Sequence, residues 1–238
     1  RADVAIGAPG APAMPAAEGV PGRPGRPGRV VVLRGSDGTV LLEVLGGQVP
    51  DRFGEDVAPA PDLDGDGRGE FVIGAPKCAD GGADAGAVFV HSGATGKRLA
   101  ALRGAPGALF GNSVACASDA RILAVTALDG GEGKRGEVHV FALPGLTLKH
   151  VVRAGEGAQN LGWFLSLVPD RDGDGVHEVY STDWHHARVA GRALVTSGAR
   201  GGVLLDLVGE RPGLGFGIGV AGGHDFDGDG VHDPVVGA

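Results

Sequence analysis

Apolar residues in this chain fall into short runs, and nearly every run is closed by glycine, proline or aspartate. Gly28-Arg-Val-Val-Val-Leu33, Gly86-Ala-Val-Phe-Val-His91, Gly136-Glu-Val-His-Val-Phe141 and Gly191-Arg-Ala-Leu-Val-Thr196 each open on glycine and are rich in β-branched side chains. Runs of about five residues bounded by turn formers are strands; amphipathic helices need longer windows and a 3.6-residue period. Turns follow at Ser36-Asp-Gly38, Ala94-Thr-Gly96, Pro144-Gly145 and Gly198-Ala-Arg-Gly201, and further strands at Thr39-Val-Leu-Leu-Glu43 and Gly202-Val-Leu-Leu-Asp206. Glu70-Phe-Val-Ile-Gly-Ala-Pro76 is also too short and too β-branched for a helix, and Pro76 removes a donor and ends the ladder. An all-β chain is expected.

The runs repeat. Phe53-Gly54, Phe110-Gly111, Leu161-Gly162 and Phe216-Gly217 stand 57, 51 and 55 residues apart. Four strands in roughly 55 residues make the unit of a β-propeller blade. The units read 1–50, 51–107, 108–158, 159–213 and a partial 214–238. The aromatic residue is expected to fill space between neighbouring blades, and the glycine beside it to permit close backbone approach.

Nine residues after three of these pairs comes an acidic loop: Asp62-Leu-Asp64-Gly-Asp66-Gly67, Asp170-Arg-Asp172-Gly-Asp174-Gly175 and Asp225-Phe-Asp227-Gly-Asp229-Gly230. Positions 1, 3 and 5 are aspartate, and position 9 is acidic as Glu70, Glu178 or Asp233. Position 7, Arg68, Val176 or Val231, offers its carbonyl. Four carboxylates and a carbonyl on a glycine-bent loop suit a hard, oxygen-seeking cation that takes about 6–8 ligands, hence Ca²⁺ in preference to Mg²⁺. An EF-hand would need a bidentate Glu at position 12, where Ile73, Ser181 and Val236 stand, and helices on either side. The unit at Phe110 keeps Asp119 alone and skips about six loop residues, so a plain turn without an ion is expected. Arg1 and Asp3 match positions 7 and 9 of a loop whose other members are not in the sequence.

Phe-Gly, Asp-x-Asp-Gly-Asp-Gly-x-x-Glu/Asp and Ile-Gly-Ala-Pro, in that order, resemble the FG-GAP repeat of integrin α-subunit propellers and their bacterial relatives, over essentially the whole chain. The resemblance implies a loop joining the first two strands of a blade and three Ca²⁺ sites. These would be Asp62, Asp64, Asp66, Arg68 and Glu70; Asp170, Asp172, Asp174, Val176 and Glu178; and Asp225, Asp227, Asp229, Val231 and Asp233. The unit at Leu161 departs from it, with Leu for Phe and Ser181-Thr-Asp-Trp184 for Ile-Gly-Ala-Pro. Integrin-like propellers have seven blades, so about four repeats read as a fragment of such a ring; a closed four-bladed ring is the alternative.

Composition changes the picture in two respects. The formal charge is −8, but twelve of the 29 acids lie in the three loops. Three divalent ions would bring the charge to about −2, so the acidity belongs to ion binding and speaks against nucleic acid as a partner. No apolar run approaches the roughly 18 residues of a transmembrane helix. The start, without Met or a signal pattern, reads as cut or processed. Loops of this kind in extracellular modules fill at about 10⁻⁴–10⁻³ M calcium, which places the protein outside the cytoplasm. Cys78 and Cys116 are expected as thiols rather than a bridge.

Pro21-Gly-Arg-Pro-Gly-Arg-Pro-Gly-Arg29 reads as a basic flexible insertion, too short for a collagen helix. His185 and His186 beside Trp184 read as an exposed loop tip, with a contact patch as the alternative, and His177 and His232 at loop position 8 as solvent-facing. No nucleophile elbow or phosphate loop is present. The expectation is a secreted, calcium-braced scaffold for adhesion, or for protein or carbohydrate recognition, without catalysis of its own. The alternatives are an accessory propeller of a secreted hydrolase, lyase or lipase, and an enzyme whose site lies at the propeller's central face.

Overall fold

The computed structural model describes residues 3–10 and 25–238; Arg1 and the segment 21–24 of the proline-rich insertion lie outside them. By packing, the chain divides into two units, Arg1–Asn112 and Ser113–Ala238.

The first unit holds a three-stranded sheet of β1 (Val4–Ala8), β2 (Arg29–Leu33) and β3 (Val40–Leu45), in that order. Next comes a four-stranded sheet of β4 (Val57–Ala60), β5 (Glu70–Ala75), β6 (Ala87–His91) and β7 (Arg98–Arg103). Both are antiparallel meanders in chain order. Between them lies a core of Val30, Val44, Phe53, Phe71, Ile73, Ala75, Ala87 and Phe89. All six residues of β5 are buried, which is why this run carries no polar alternation after Glu70.

The division between the units falls within β8 (Phe110–Ala115), the first strand of a sheet ordered β8, β9 (Ile122–Ala127), β10 (Glu137–Ala142) and β11 (Thr147–Arg153). In the second unit follow β12 (Leu165–Val168), β13 (Glu178–Asp183), β14 (Arg192–Thr196) and β15 (Val203–Val208), again four antiparallel strands in order. A hairpin of β16 (Gly219–His224) and β17 (Asp233–Gly237) ends the chain. One core, including Ile122, Val138, Val140, Leu161, Val179 and Leu194, joins the third sheet to the fourth; another, around Tyr180 and Val195, joins the fourth to the hairpin. The chain is therefore all-β, built of successive four-stranded antiparallel sheets of the propeller-blade kind.

The joints between sheets explain the repeated motif. The N–H of Phe110 donates to the Ala85 carbonyl (3.1 Å), that of Leu161 to Arg135 (2.9 Å) and that of Phe216 to Ala190 (3.2 Å). The glycine after each acceptor, Gly86, Gly136 or Gly191, lies so close that a Cβ would stand 2.2, 2.4 or 1.9 Å from the carbonyl oxygen of the Phe or Leu. A second approach sets Gly7 against the Gly54 carbonyl and Gly74 against that of Gly111, at 2.2 and 2.1 Å from a Cβ. Where Thr126 replaces that glycine, its hydroxyl instead donates to the Gly162 carbonyl at 2.6 Å. Main chain packs directly on main chain, and glycine is what permits it.

Both cysteines are free thiols. Burial pushes the Cys78 thiol up and the Cys116 thiol to about 12, and Cys116 Sγ donates to the Ile122 carbonyl at 3.4 Å. Thiolate is the reactive form. Iodoacetamide at pH 8 should therefore leave both residues unmodified in the folded chain and alkylate both in denaturant, as read by intact mass; modification of the native chain at the rate of free cysteine would refute it.

Candidate metal centres

Each acidic loop joins the first two strands of a sheet: β4 to β5, β12 to β13 and β16 to β17. The three are tied by the same backbone network. The position-1 aspartate accepts from the N–H groups at positions 4 and 6: Gly65 and Gly67 onto Asp62 (2.7 and 2.8 Å), Gly173 and Gly175 onto Asp170 (2.8 Å each), Gly228 and Gly230 onto Asp225 (2.7 and 3.0 Å). Position 3 accepts from the position-5 N–H in Asp64, Asp172 and Asp227, and position 5 from the position-7 N–H in Asp66, Asp174 and Asp229. The position-9 acid reaches back to position 2: Leu63 N–H to Glu70 (2.5 Å), Arg171 to Glu178 (3.0 Å) and Phe226 to Asp233 (2.9 Å). The left-handed glycines at positions 4 and 6, such as Gly65 at φ 82° and Gly67 at φ 86°, make this wrapping possible.

These bonds engage both oxygens of each position-1 aspartate and one oxygen at positions 3 and 5, and they draw the carboxylates together. Oxygens of Asp62, Asp64, Asp66 and Glu70 all lie within 4.8 Å of one another, as do those of Asp170, Asp172 and Glu178, and of Asp225, Asp227 and Asp229. Asp174 and Asp233 stand apart from those groups. Asp174 Oδ2 is turned to the Ser197 hydroxyl (3.4 Å) and lies 3.6 Å from Arg200, while Asp233 Oδ2 holds the Phe226 N–H. The Val176 side chain is buried in the core, which leaves its backbone to serve the loop.

Electrostatics separate the loop members. Backbone N–H groups hold the Asp62 and Asp225 carboxyls below the usual carboxylate range. Burial raises Glu70, and the neighbouring Asp64, Asp62 and Asp66 charges raise it further. Burial likewise raises Glu178, against the bonds it accepts.

Glu70 is the most telling group for a bound cation. It is 3% exposed, and its Oε1 is buried with no hydrogen-bond partner, beside three aspartates. An acceptor oxygen left unpaired in the interior is costly unless something positive meets it. An all-oxygen donor set with an orphaned buried carboxylate oxygen fits a calcium ion. Glu178, fully buried, is instead satisfied by the N–H groups of Arg171, Asp172 and Gly198. Asp3, its counterpart in the first sheet, accepts from Gly35 at 3.0 Å in the same way that Glu178 accepts from Gly198. In these two sheets the position-9 acid thus also fastens the start of one strand to the turn after the next.

Three groups acting on the loops escape a reading by spacing. Arg200 Nη2 donates to Asp172 Oδ2 at 2.6 Å from the β14–β15 turn, and Ser197 bonds Asp174 from the same turn. Arg171 of the second loop donates through Nη1 to the His232 carbonyl of the third. His177 differs from the expected solvent-facing residue: its side chain is 19% exposed and Nε2 lies 3.6 Å from Asp119.

His185 and His186 differ in the same direction. His186 is 9% exposed, and His185 stacks on Trp184 with ring centroids 3.6 Å apart and bonds Asn160 at 2.8 Å. A left-handed turn through Ala187, Arg188 and Val189 (φ 48°, 64° and 66°) folds this segment inward, where Asp183 accepts the N–H groups of Gln159 and His185. Among the described residues, no helix is long and apolar enough to cross a membrane.

Residues 53–91 match the model of the FG-GAP repeat. No curated protein matches the sequence. Among solved structures, the crystal structure of BBS1N in complex with ARL6DN, soaked with mercury, is similar with a TM-score of 0.48 at 12% sequence identity. The match covers 77% of this chain and 47% of that one, so this chain spans about half the length of its solved neighbour. The segment from Phe53 to His91 thus carries an FG-GAP repeat, within a chain of successive four-stranded antiparallel sheets.

Proposed function

We propose that this chain is a calcium-braced, extracellular β-propeller scaffold for adhesion, or for protein or carbohydrate recognition, that performs no catalysis itself. One blade corresponds to each of the units 51–107, 108–158 and 159–213, flanked by 1–50 and 214–238. Each loop takes one Ca²⁺. In the first the ligands are Asp62, Asp64, Asp66, the Arg68 carbonyl and Glu70; in the second Asp170, Asp172, Asp174, the Val176 carbonyl and Glu178; in the third Asp225, Asp227, Asp229, the Val231 carbonyl and Asp233. The observation that carries the reading is the unpartnered, buried Oε1 of Glu70 among three aspartates. FG-GAP propellers serve as scaffolds, which supports a recognition role.

The mechanism is electrostatic. Carboxylates gathered this closely repel one another, and a bound dication turns the repulsion into a brace between the first two strands of the sheet. An ion present at ten times its dissociation constant stabilises the fold by about 1.4 kcal/mol per site.

Titration calorimetry on the EDTA-stripped chain, with Mg²⁺ as control, should show calcium binding at sub-millimolar to millimolar concentration and a raised melting temperature. Asp64→Ala should remove one ion per chain, whereas Asp119→Ala, at the shortened turn, should leave the stoichiometry unchanged. A folded chain that takes up no calcium would overturn the reading.

A further inference from the structure

The second loop differs from the other two at position 3. In the first and third loops, Asp64 and Asp227 accept the position-5 N–H at Oδ1, and among the described residues Oδ2 meets no arginine. In the second, Asp172 Oδ1 accepts from Asp174 N–H, and Oδ2 is held by the Arg200 guanidinium at 2.6 Å. The same guanidinium lies 3.6 Å from Asp174 Oδ2. Both position-3 oxygens are therefore engaged, and a fixed positive charge sits at the mouth of the loop.

The placement of Arg200 is built into the hairpin. It stands in the turn from Ser197 to Gly202, where Ser197 N–H donates to the Gly202 carbonyl and Gly201 N–H to that of Ser197. The corresponding turn of the second sheet runs from Ser92 to Lys97 with the same two bonds. The third turn residue donates to the serine hydroxyl in both: Thr95 N–H to Ser92 Oγ at 3.2 Å, Arg200 N–H to Ser197 Oγ at 3.4 Å. Thr95 and Arg200 thus hold equivalent places, and threonine is too short and uncharged to act as Arg200 does.

We propose that Arg200 is an internal counter-cation of the second loop, which calcium must displace from Asp172 to bind, so that this site is the weakest of the three. This rests on the calcium reading above. Arg200 neutralises the second loop when calcium is absent; when calcium arrives, the guanidinium both withholds a ligand oxygen and repels the ion. The side chain of Arg200 is 66% exposed, so it has solvent to move into once displaced. The chain would then fill in two steps, with the second loop responding only at higher calcium.

The test compares the full chain with Arg200→Thr and with Arg200→Thr/Asp172→Ala, by calcium titration calorimetry and by melting in EDTA and in saturating calcium. Arg200→Thr should tighten one site about tenfold, from removal of a unit charge adjacent to a dication, and the double variant should lose that gain. Melting should cross over: below wild type in EDTA, where the loop has lost its counter-charge, and level with or above it in calcium. A merely structural arginine would lower both. Arg200→Lys, which keeps the charge and guards against a failure to fold, should give an intermediate shift. Unaltered binding in Arg200→Thr would overturn the role of Arg200 while leaving the calcium reading standing; absence of calcium binding in every folded variant would overturn both.

Discussion

Glu178→Ala should destabilise the calcium-free chain by about 4 kcal/mol, because it leaves one buried and two half-buried backbone donors without an acceptor, at about 1–3 kcal/mol each. The carboxylate is fully buried and receives the N–H groups of Arg171 (3.0 Å), Asp172 (3.4 Å) and Gly198 (3.1 Å). Two of these belong to the acidic loop and the third to the turn after β14, so a single side chain closes both ends of the sheet's rim. Part of the loss is returned, since burial raises this carboxyl and its removal abolishes that desolvation. The donors are the larger effect because none of them has another acceptor within the loop. Melting in EDTA isolates this structural role from any ion. Glu178→Gln should cost about half as much, as its amide oxygen still serves the Arg171 side while the NH₂ group opposes Gly198. A drop under about 1 kcal/mol for Ala would show that water or a shifted turn replaces the carboxylate.

How much of this was legible beforehand depends on the sequence distance over which each contact acts. The acidic loops were readable because the bonds that wrap each loop on itself span at most seven residues: Asp62 to Gly65 and Gly67, Leu63 to Glu70. Spacing alone decides such geometry. The strands were equally plain, since β-branched runs opened by glycine, such as that from Gly86 to His91, admit little else, and their ends shift only by a residue or two. Arg200 was invisible because it meets Asp172 from 28 residues away, through a turn whose own sequence, Gly-Ala-Arg-Gly, says nothing of what lies opposite.

The histidine pair failed for a different reason. Three successive non-glycine residues in the left-handed region carry no compositional mark, yet that turn is what carries His186 inward. The Ser181-Thr-Asp-Trp184 departure was visible, but its consequence was not: β13 continues through Asp183, whose carboxylate then organises the inward-folded turn.

The Phe-Gly and Leu-Gly pairs sit at the joints between sheets, but the sharper constraint falls on the glycine that opens the third strand. Gly86→Ala should cost about 4 kcal/mol or prevent folding, whereas Gly107→Ala should cost about 1 kcal/mol. The two share one backbone conformation, φ 76°. They differ in space. A Cβ on Gly107 meets nothing within 4 Å; on Gly86 it stands 2.2 Å from the Phe110 carbonyl oxygen and 2.4 Å from its nitrogen. The Phe110 backbone cannot withdraw, because its N–H is bonded to Ala85 and its ring is buried at 2% exposure. The added methyl must therefore break the Ala85 bond or displace β8. The difference between the two melting temperatures subtracts the shared left-handed strain and reads the main-chain joint alone. Equal losses would mean that the neighbouring segment yields freely, and that the glycines repeated at 28, 86, 136 and 191 serve their own turns rather than the joints between sheets.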